Sequence, residues 1–100
     1  MSEKMTYAGF HQDKHGITAL GRVVLDGWLF GFIPREEDCA GWELARIQQL
    51  MTQNEAAWDQ YGNLPSRLPA ELQARHTEIY AWATARGRER GWDPELDEDE

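Results

Sequence analysis

The chain has 100 residues, of which 41% are hydrophobic and 28% are charged, and its formal net charge is −8 at pH 7. This length and composition are typical of one soluble globular domain, and no apolar run approaches the length of a membrane span. The single cysteine, Cys39, excludes an internal disulfide framework, and the N-terminus lacks a signal-peptide profile, so we expect a reducing cytoplasm.

Most of the negative charge lies at the C-terminal end. Residues 93–100 hold six acids and no bases, which leaves 12 acids and 10 bases, a net charge of −2, in residues 1–92. A run of acids repels itself and buries nothing. We therefore predict a single domain over residues 1–92 and a disordered acidic tail over residues 93–100. The tail is interpreted as solubilising, and the alternative is a polyanion presented to a basic partner.

The N-terminal half carries the strongest strand signals. Asp26-Gly27 lies between the apolar runs of ITALGRVVLDGWLFGFI, and this dipeptide is typical of a two-residue hairpin turn. An isolated hairpin is only marginally stable in water, so we expect residues 7–10 or 17–20 to add a third strand. The sequence thus predicts an antiparallel β-hairpin or a three-stranded meander, ended by Pro34.

A long helical pattern follows the predicted sheet. Apolar side chains in residues 42–61 recur at alternating steps of three and four, which is the spacing of one helix face. We predict a helix that begins near residue 37 or 41 and ends at Tyr61, with Gly62 in the left-handed conformation behind it.

A second helix is predicted from Pro69, which suits a first helical turn, to Gly91, which is a suitable stop. One stripe of this helix contains five residues: Leu72, His76, Ile79, Ala83 and Arg86. Because the connection is short, we expect the two long helices to be antiparallel neighbours. The predicted fold class is α+β, with the hairpin or meander packed on two long antiparallel helices.

The sequence contains no recognisable catalytic, metal or cofactor motif. His11 and His15 flank Asp13, but zinc needs more ligands than this segment offers. We therefore interpret the two histidines as surface residues. Cys39 and His76 could form a nucleophile and its base, but nothing in the sequence places them together. We therefore favour a buried thiol for Cys39 and a core histidine for His76. We predict no enzyme, no cofactor and no metal.

Two groups of acids are the candidate partner-binding residues. Glu36, Glu37 and Asp38 are consecutive, and Glu55 and Asp59 are spaced to share one side of a helix. Such groups are commonly solvated surface, and the functional hypothesis is that they imitate phosphates toward a basic surface. Arg86, Arg88 and Arg90 form the one basic cluster, too small for a nucleic-acid footprint.

The segment GRVVLDGWLFGFIP, the acids Glu36, Glu37 and Asp38, and the two helical patterns after them resemble the small, acidic, phage-borne anti-CRISPR proteins. That resemblance implies a non-enzymatic inhibitor in the bacterial host cell. It would bind the basic nucleic-acid-binding surface of a type I CRISPR-Cas surveillance complex and block DNA binding. The alternatives are a small cytoplasmic accessory or homodimeric interaction subunit and, ranked last, a small enzyme or metal protein.

Overall fold

A computed structural model describes residues 5–92 of the chain. These residues form three α-helices, α1 (Ala19–Phe30), α2 (Leu44–Asp59) and α3 (Ala70–Glu89), with a short 3-10 turn at Pro65–Arg67. Within residues 5–92 the β structure is limited to one isolated antiparallel bridge between Thr6 and Glu43. The protein is therefore mainly helical, and the predicted α+β fold with an N-terminal hairpin or meander is wrong.

Two parts of the chain lie outside the described residues. They are the N-terminal residues 1–4 and the acidic tail 93–100, so the prediction of a disordered tail stays a prediction. No helix among residues 5–92 combines the length and the apolar character needed to cross a membrane.

The segment predicted as a hairpin is helix α1. Thr18 is its N-cap, and the Thr18 hydroxyl accepts a hydrogen bond from the Gly21 amide at 3.0 Å. At the other end Gly31 adopts the left-handed conformation, with φ of 75°, which is a common way to end a helix. Seven of the 12 residues of α1 are buried, so its apolar side chains are not confined to one face. A short, nearly continuous apolar run does not by itself distinguish a buried strand from a buried helix.

Close packing explains Gly27, which the hairpin interpretation placed in a turn. A β-carbon at Gly27 would lie 3.1 Å from the Cδ1 atom of Ile33 and 3.2 Å from the Cδ2 atom of Leu50. Glycine therefore lets α2 and the segment after α1 approach the α1 backbone.

Helix α1 is the centre of the domain. Both α2 and α3 pack on it, whereas no Cα atom of α2 lies within 8 Å of a Cα atom of α3. The two long helices are thus not the side-by-side neighbours that the short connection predicted. They meet through side chains, as where the rings of Trp58 and His76 are 6.0 Å apart.

The helix boundaries are close to those predicted. Helix α2 begins at Leu44, later than residue 37 or 41, because Cys39 and Gly41 take positive φ angles of 66° and 80°. Its end is followed by Gly62 in the predicted left-handed conformation, with φ of 64°. Helix α3 starts directly after Pro69, as predicted.

The N-terminal segment holds the α1–α2 connection in place. The Tyr7 amide donates to the Trp42 carbonyl at 2.9 Å, and the Tyr7 carbonyl accepts from the Gly41 amide at 2.8 Å. Further along, the Phe10 amide donates to the Asp38 carbonyl at 2.9 Å. The Phe10 ring is fully buried and packs against the indoles of Trp28 and Trp82, so this pairing is anchored in the core.

Candidate functional site

The α1–α2 connection, residues 31–43, is the candidate functional segment. It spans 13 residues, whereas helix–helix connections commonly have about two to eight, and long ordered loops often carry function. The Trp28 indole donates to the Glu37 carbonyl at 2.8 Å, which fixes the middle of the connection to α1.

Arg35 fastens the connection to α3. Its guanidinium lies 5.1 Å from the ring centroid of Trp28 and 5.2 Å from that of Trp82. It also forms two hydrogen bonds to the Glu78 carboxylate, at 3.1 and 3.3 Å. The contacts of the Arg35 guanidinium with the two indole rings and with the Glu78 carboxylate give the connection a defined path.

A groove of about 300 Å³ lies between the connection and α2. Residues 32–34 and Glu37 form the wall on the side of the connection, and the groove is lined by polar side chains as well as by the largely buried Ile33 and Leu50. Phe32 lines the groove, and 41% of its surface is exposed. The connection thus presents an apolar contact surface to solvent.

A polar row on α2 forms the other wall. Arg46, Gln49 and Gln53 follow one another along the helix, and all three are exposed. The Arg46 guanidinium lies 3.7 Å from the ring centroid of Trp42, which holds both side chains at one end of the groove. The amides of Gln49 and Gln53 make no hydrogen bond within residues 5–92.

The three predicted acids of the connection have different surroundings. The Glu36 side chain is exposed and forms no hydrogen bond or ion pair with the described residues. The carboxylate of Glu37 accepts from the Cys39 amide at 2.9 Å, and that of Asp38 accepts from the Ala40 amide at 3.1 Å. Glu37 and Asp38 therefore shape the connection, and Glu36 is the acid of this group best presented to a partner.

Glu55 and Asp59 do not belong to the same patch. Both are exposed on α2. Glu55 follows the groove residue Gln53 by two positions, which is about 200° around the helix. Asp59 lies one turn beyond Glu55, on a side of the helix that also differs from that of Gln53. The structure thus separates the five predicted acids into two sites.

Cys39 and His76 are not brought together. Cys39 belongs to the connection and is fully buried, whereas the His76 ring stacks on Tyr80 at 4.7 Å, in the contact between α2 and α3. Burial raises the pKa of the Cys39 thiol to about 12, and the nearby carboxylates of Glu37 and Asp38 add to the shift. A thiol held in its neutral form is a poor nucleophile.

We expect Cys39 to react very slowly with the thiol reagent DTNB in the folded protein. With a pKa of about 12, roughly one thiol in 10⁴ is ionised at pH 8. The same chain unfolded in guanidinium chloride is the control and should react at the ordinary rate. Complete labelling of the native protein within minutes would contradict the burial described above.

The segment around His11 and His15 is organised by hydrogen bonds. One Asp13 carboxylate oxygen accepts from the hydroxyls of Tyr7 and Thr18, both at 2.6 Å. The His15 Nδ1 atom accepts from the Ile17 amide at 3.1 Å. Residues 5–92 contain no group of three or more His, Cys, Asp or Glu side chains arranged to hold a metal ion. A hollow of about 490 Å³ lies beside Asp13, but it is more open than the groove.

Two arginines of the basic cluster have a structural role that the sequence did not indicate. Arg86 and Arg90 both donate to the His11 carbonyl, at 3.1 and 3.0 Å, and Arg90 also reaches the Asp13 carbonyl at 3.2 Å. They hold the N-terminal segment on α3.

A half-buried carboxylate joins all three helices and was also missed. One oxygen of Asp26 in α1 accepts from the Tyr80 hydroxyl of α3 at 2.6 Å, and the other accepts from the Trp58 indole of α2 at 3.2 Å. Burial raises the pKa of Asp26, and its two hydrogen bonds oppose that shift. Nothing in the spacing of these residues indicated the contact, because 54 positions separate Asp26 from Tyr80.

No protein-family model, curated protein or solved structure matches this chain. The resemblance to anti-CRISPR proteins therefore stays a prediction.

Proposed function

We propose that this chain is a non-enzymatic protein-binding domain that docks on a basic surface of another protein through the groove and the 31–43 connection. The observation that carries the proposal is the exposed Phe32, which lines the groove on a long connection that the core holds in a defined path. Exposed apolar surface rimmed by charge is typical of an interaction site.

The charge near the groove favours a basic partner. Residues 31–46 contain four acids and two arginines. One of those arginines, Arg35, is paired with Glu78 on α3, and the other, Arg46, is stacked on Trp42. The acidic residues 93–100 add six further negative charges to the chain. Such a charge distribution accelerates encounter with a basic surface more than it strengthens the final complex.

The distribution of reactive side chains supports a role without catalysis. The Cys39 thiol is buried and neutral, and His76 lies elsewhere, between aromatic rings. The two therefore do not form a nucleophile and its base. The half-buried carboxylate of Asp26 accepts hydrogen bonds that join the helices.

The finer part of the proposal is inhibition. A basic surface that accepts this domain could be the nucleic-acid-binding surface of a type I CRISPR-Cas effector, as the resemblance implies, and occupation of that surface would block DNA. The small number of presented acids supports steric occlusion over imitation of a duplex, since Glu37 and Asp38 are engaged within the connection.

A comparison of variants in a capture experiment tests the proposal. The tagged full chain should retain a basic protein from a bacterial lysate at low salt and release it at high salt. Phe32→Ser should weaken the complex by about tenfold or more, because the contact of one large apolar side chain is lost. Glu36→Lys should slow association, and the effect should shrink as salt is raised.

The double variant Glu55→Lys, Asp59→Lys is the matched control, since it reverses charge on another side of α2. It should bind as the unchanged chain does. Competition between the domain and the partner's nucleic acid then tests inhibition. If Phe32→Ser and Glu36→Lys bind normally while the control loses the partner, the site has been placed on the wrong surface. Recovery of the chain alone would favour the homodimeric alternative.

A further inference from the structure

Positive charge collects at one end of the domain. Residues 11–15 and residues 86–90, at the end of α3, together hold four bases and two acids, a net charge of +2. The rest of residues 1–92 holds six bases and ten acids, a net charge of −4. The two segments lie together because Arg86 and Arg90 both donate to the His11 carbonyl. We call these two segments the basic end.

Two guanidinium groups lie close together at the basic end. Arg86 and Arg90 share one carbonyl acceptor, and within residues 5–92 neither forms an ion pair. Desolvation and the nearby charge of Arg90 lower the pKa of Arg86. The carboxylates of Asp13 and Asp38, which lie nearby, accept hydrogen bonds from hydroxyl and amide groups instead. The exposed bases and histidine of the basic end are His11, Lys14, Arg88 and Arg90. Further carboxylates would therefore reduce the repulsion among these cations.

The chain leaves α3 toward the loop of residues 11–15. Gly91 adopts the left-handed conformation, with φ of 96°, and the Trp92 amide donates to the Gly87 carbonyl at 2.9 Å, which closes the helix and reverses the chain. The centroid of the Trp92 ring lies 6.4 Å from that of the His15 ring. Asp93, the first of the six acids in residues 93–100, thus follows a residue that contacts the basic end.

A tethered acidic segment has an advantage over an external anion. Two groups joined by a short linker meet at an effective concentration of about one millimolar. Eight extended residues reach at most about 28 Å, which spans the basic end but not the length of α3, about 30 Å. One exposed ion pair contributes little, so several pairs must act together.

From these observations we infer that residues 93–100 bind the basic end of the same chain. Carboxylates of this segment pair with the Lys14 ammonium group and with the guanidinium groups of Arg88 and Arg90. The contact closes the basic end to external polyanions such as nucleic acids. This inference does not depend on the proposed function, which is carried by the groove and residues 31–43.

Melting temperatures of the full chain and of a neutral variant test the inference. The neutral variant carries six substitutions: Asp93→Asn, Glu95→Gln, Asp97→Asn, Glu98→Gln, Asp99→Asn and Glu100→Gln. It should melt about 4 °C or more below the full chain in about 20 mM NaCl, and the difference should shrink in about 0.5 M NaCl, because salt screens the lost ion pairs. If the segment made no such contact, removal of six charges from a chain of net charge −8 would relieve repulsion. An unchanged or higher melting temperature would therefore overturn the inference.

Lys14→Gln locates the contact, and Arg67→Gln is the matched control. Arg67 is an exposed cation that precedes α3, about 30 Å from the basic end. The six substitutions should lower the melting temperature less in the Lys14→Gln background, and as much as in the parent protein in the Arg67→Gln background. Equal losses in all three backgrounds would overturn the assignment to the basic end. A loss that grows with protein concentration would mean that the segment of a second copy is bound, which would overturn the intramolecular contact.

Discussion

Replacement of Gly21 by alanine should destabilise the protein by about 3 kcal/mol, which for a domain of this size lowers the melting temperature by roughly 15 °C. A β-carbon at Gly21 would lie 2.0 Å from the Gly16 carbonyl oxygen. That obstacle is backbone, so it cannot be relieved by a change of rotamer. Gly16 itself has φ of 84° and is enclosed by the Phe10 ring and the Arg86 guanidinium, so a shift of the segment before α1 would disturb the core.

Gly27→Ala is the matched control for this prediction. Both glycines lie in α1, and alanine gains about 1 kcal/mol of helix propensity at either position. At Gly27 the neighbours are the ends of the Ile33 and Leu50 side chains, at 3.1 and 3.2 Å, which can move. We expect Gly27→Ala to stay within about 1 kcal/mol of the parent protein. Equal melting temperatures for the two variants would show that α1 does not contact Gly16 as described.

Asp26 and Gly27 explain why the fold class was mispredicted. In the sequence, Asp26-Gly27 between apolar runs has the features of a hairpin turn, because asparagine, aspartate and glycine tolerate positive φ. In the structure Asp26 accepts hydrogen bonds from α2 and α3. Gly27 makes room for the side chains of Ile33 and Leu50. Both reasons depend on contacts that are distant in sequence, which local pattern rules do not contain.

The helical half was predictable because its signals are local. Helix α3 begins directly after Pro69, and Gly62 adopts the predicted left-handed conformation behind α2. Amphipathic spacing and stop residues act within a few positions, so they can be recognised in one sequence. The relative placement of the two long helices was mispredicted for the opposite reason. It depends on α1, which lies at the centre of the domain and was predicted to form strands.

The candidate site was predicted only in part. The acids of the connection drew attention to the segment 36–38, which does border the groove at Glu37. Phe32 was hidden because its segment was predicted to form a hairpin, and no local signal grouped Arg46, Gln49 and Gln53 into a row. An exposed polar face has no sequence feature that tells whether another segment will lie beside it.

Replacement of Asp26 by alanine should have the second large effect, a loss of about 3 kcal/mol. The change removes two hydrogen bonds to a half-buried charged group and leaves the Tyr80 hydroxyl and the Trp58 indole without their acceptor. Tyr80→Phe and Trp58→Phe each remove one of these bonds and should cost less than Asp26→Ala. Urea unfolding monitored by circular dichroism measures all three. A loss below about 1 kcal/mol for Asp26→Ala would mean that the carboxylate does not join the helices.

Asp26→Asn removes the charge at this position. Comparing the stability of this variant with that of the parent protein as a function of pH separates the effect of the charge from the effect of the hydrogen bonds. Burial raises the pKa of Asp26 in the folded protein above the ordinary value of 3.8, so the folded chain binds this proton more tightly than the unfolded chain. The penalty for burying the charge is absent below about pH 3.8 and grows as the pH rises through the folded-state pKa.

Asparagine carries no such penalty. The stability of the parent protein relative to Asp26→Asn should therefore decrease as the pH rises from 3.8 through the folded-state pKa, and then become constant. Other titrating groups cancel in this difference, since both proteins contain them. A difference that increases with pH over the same range would mean that the two hydrogen bonds outweigh burial and that the pKa of Asp26 is lowered. The sign of one slope thus decides whether Asp26 joins the three helices at an electrostatic cost.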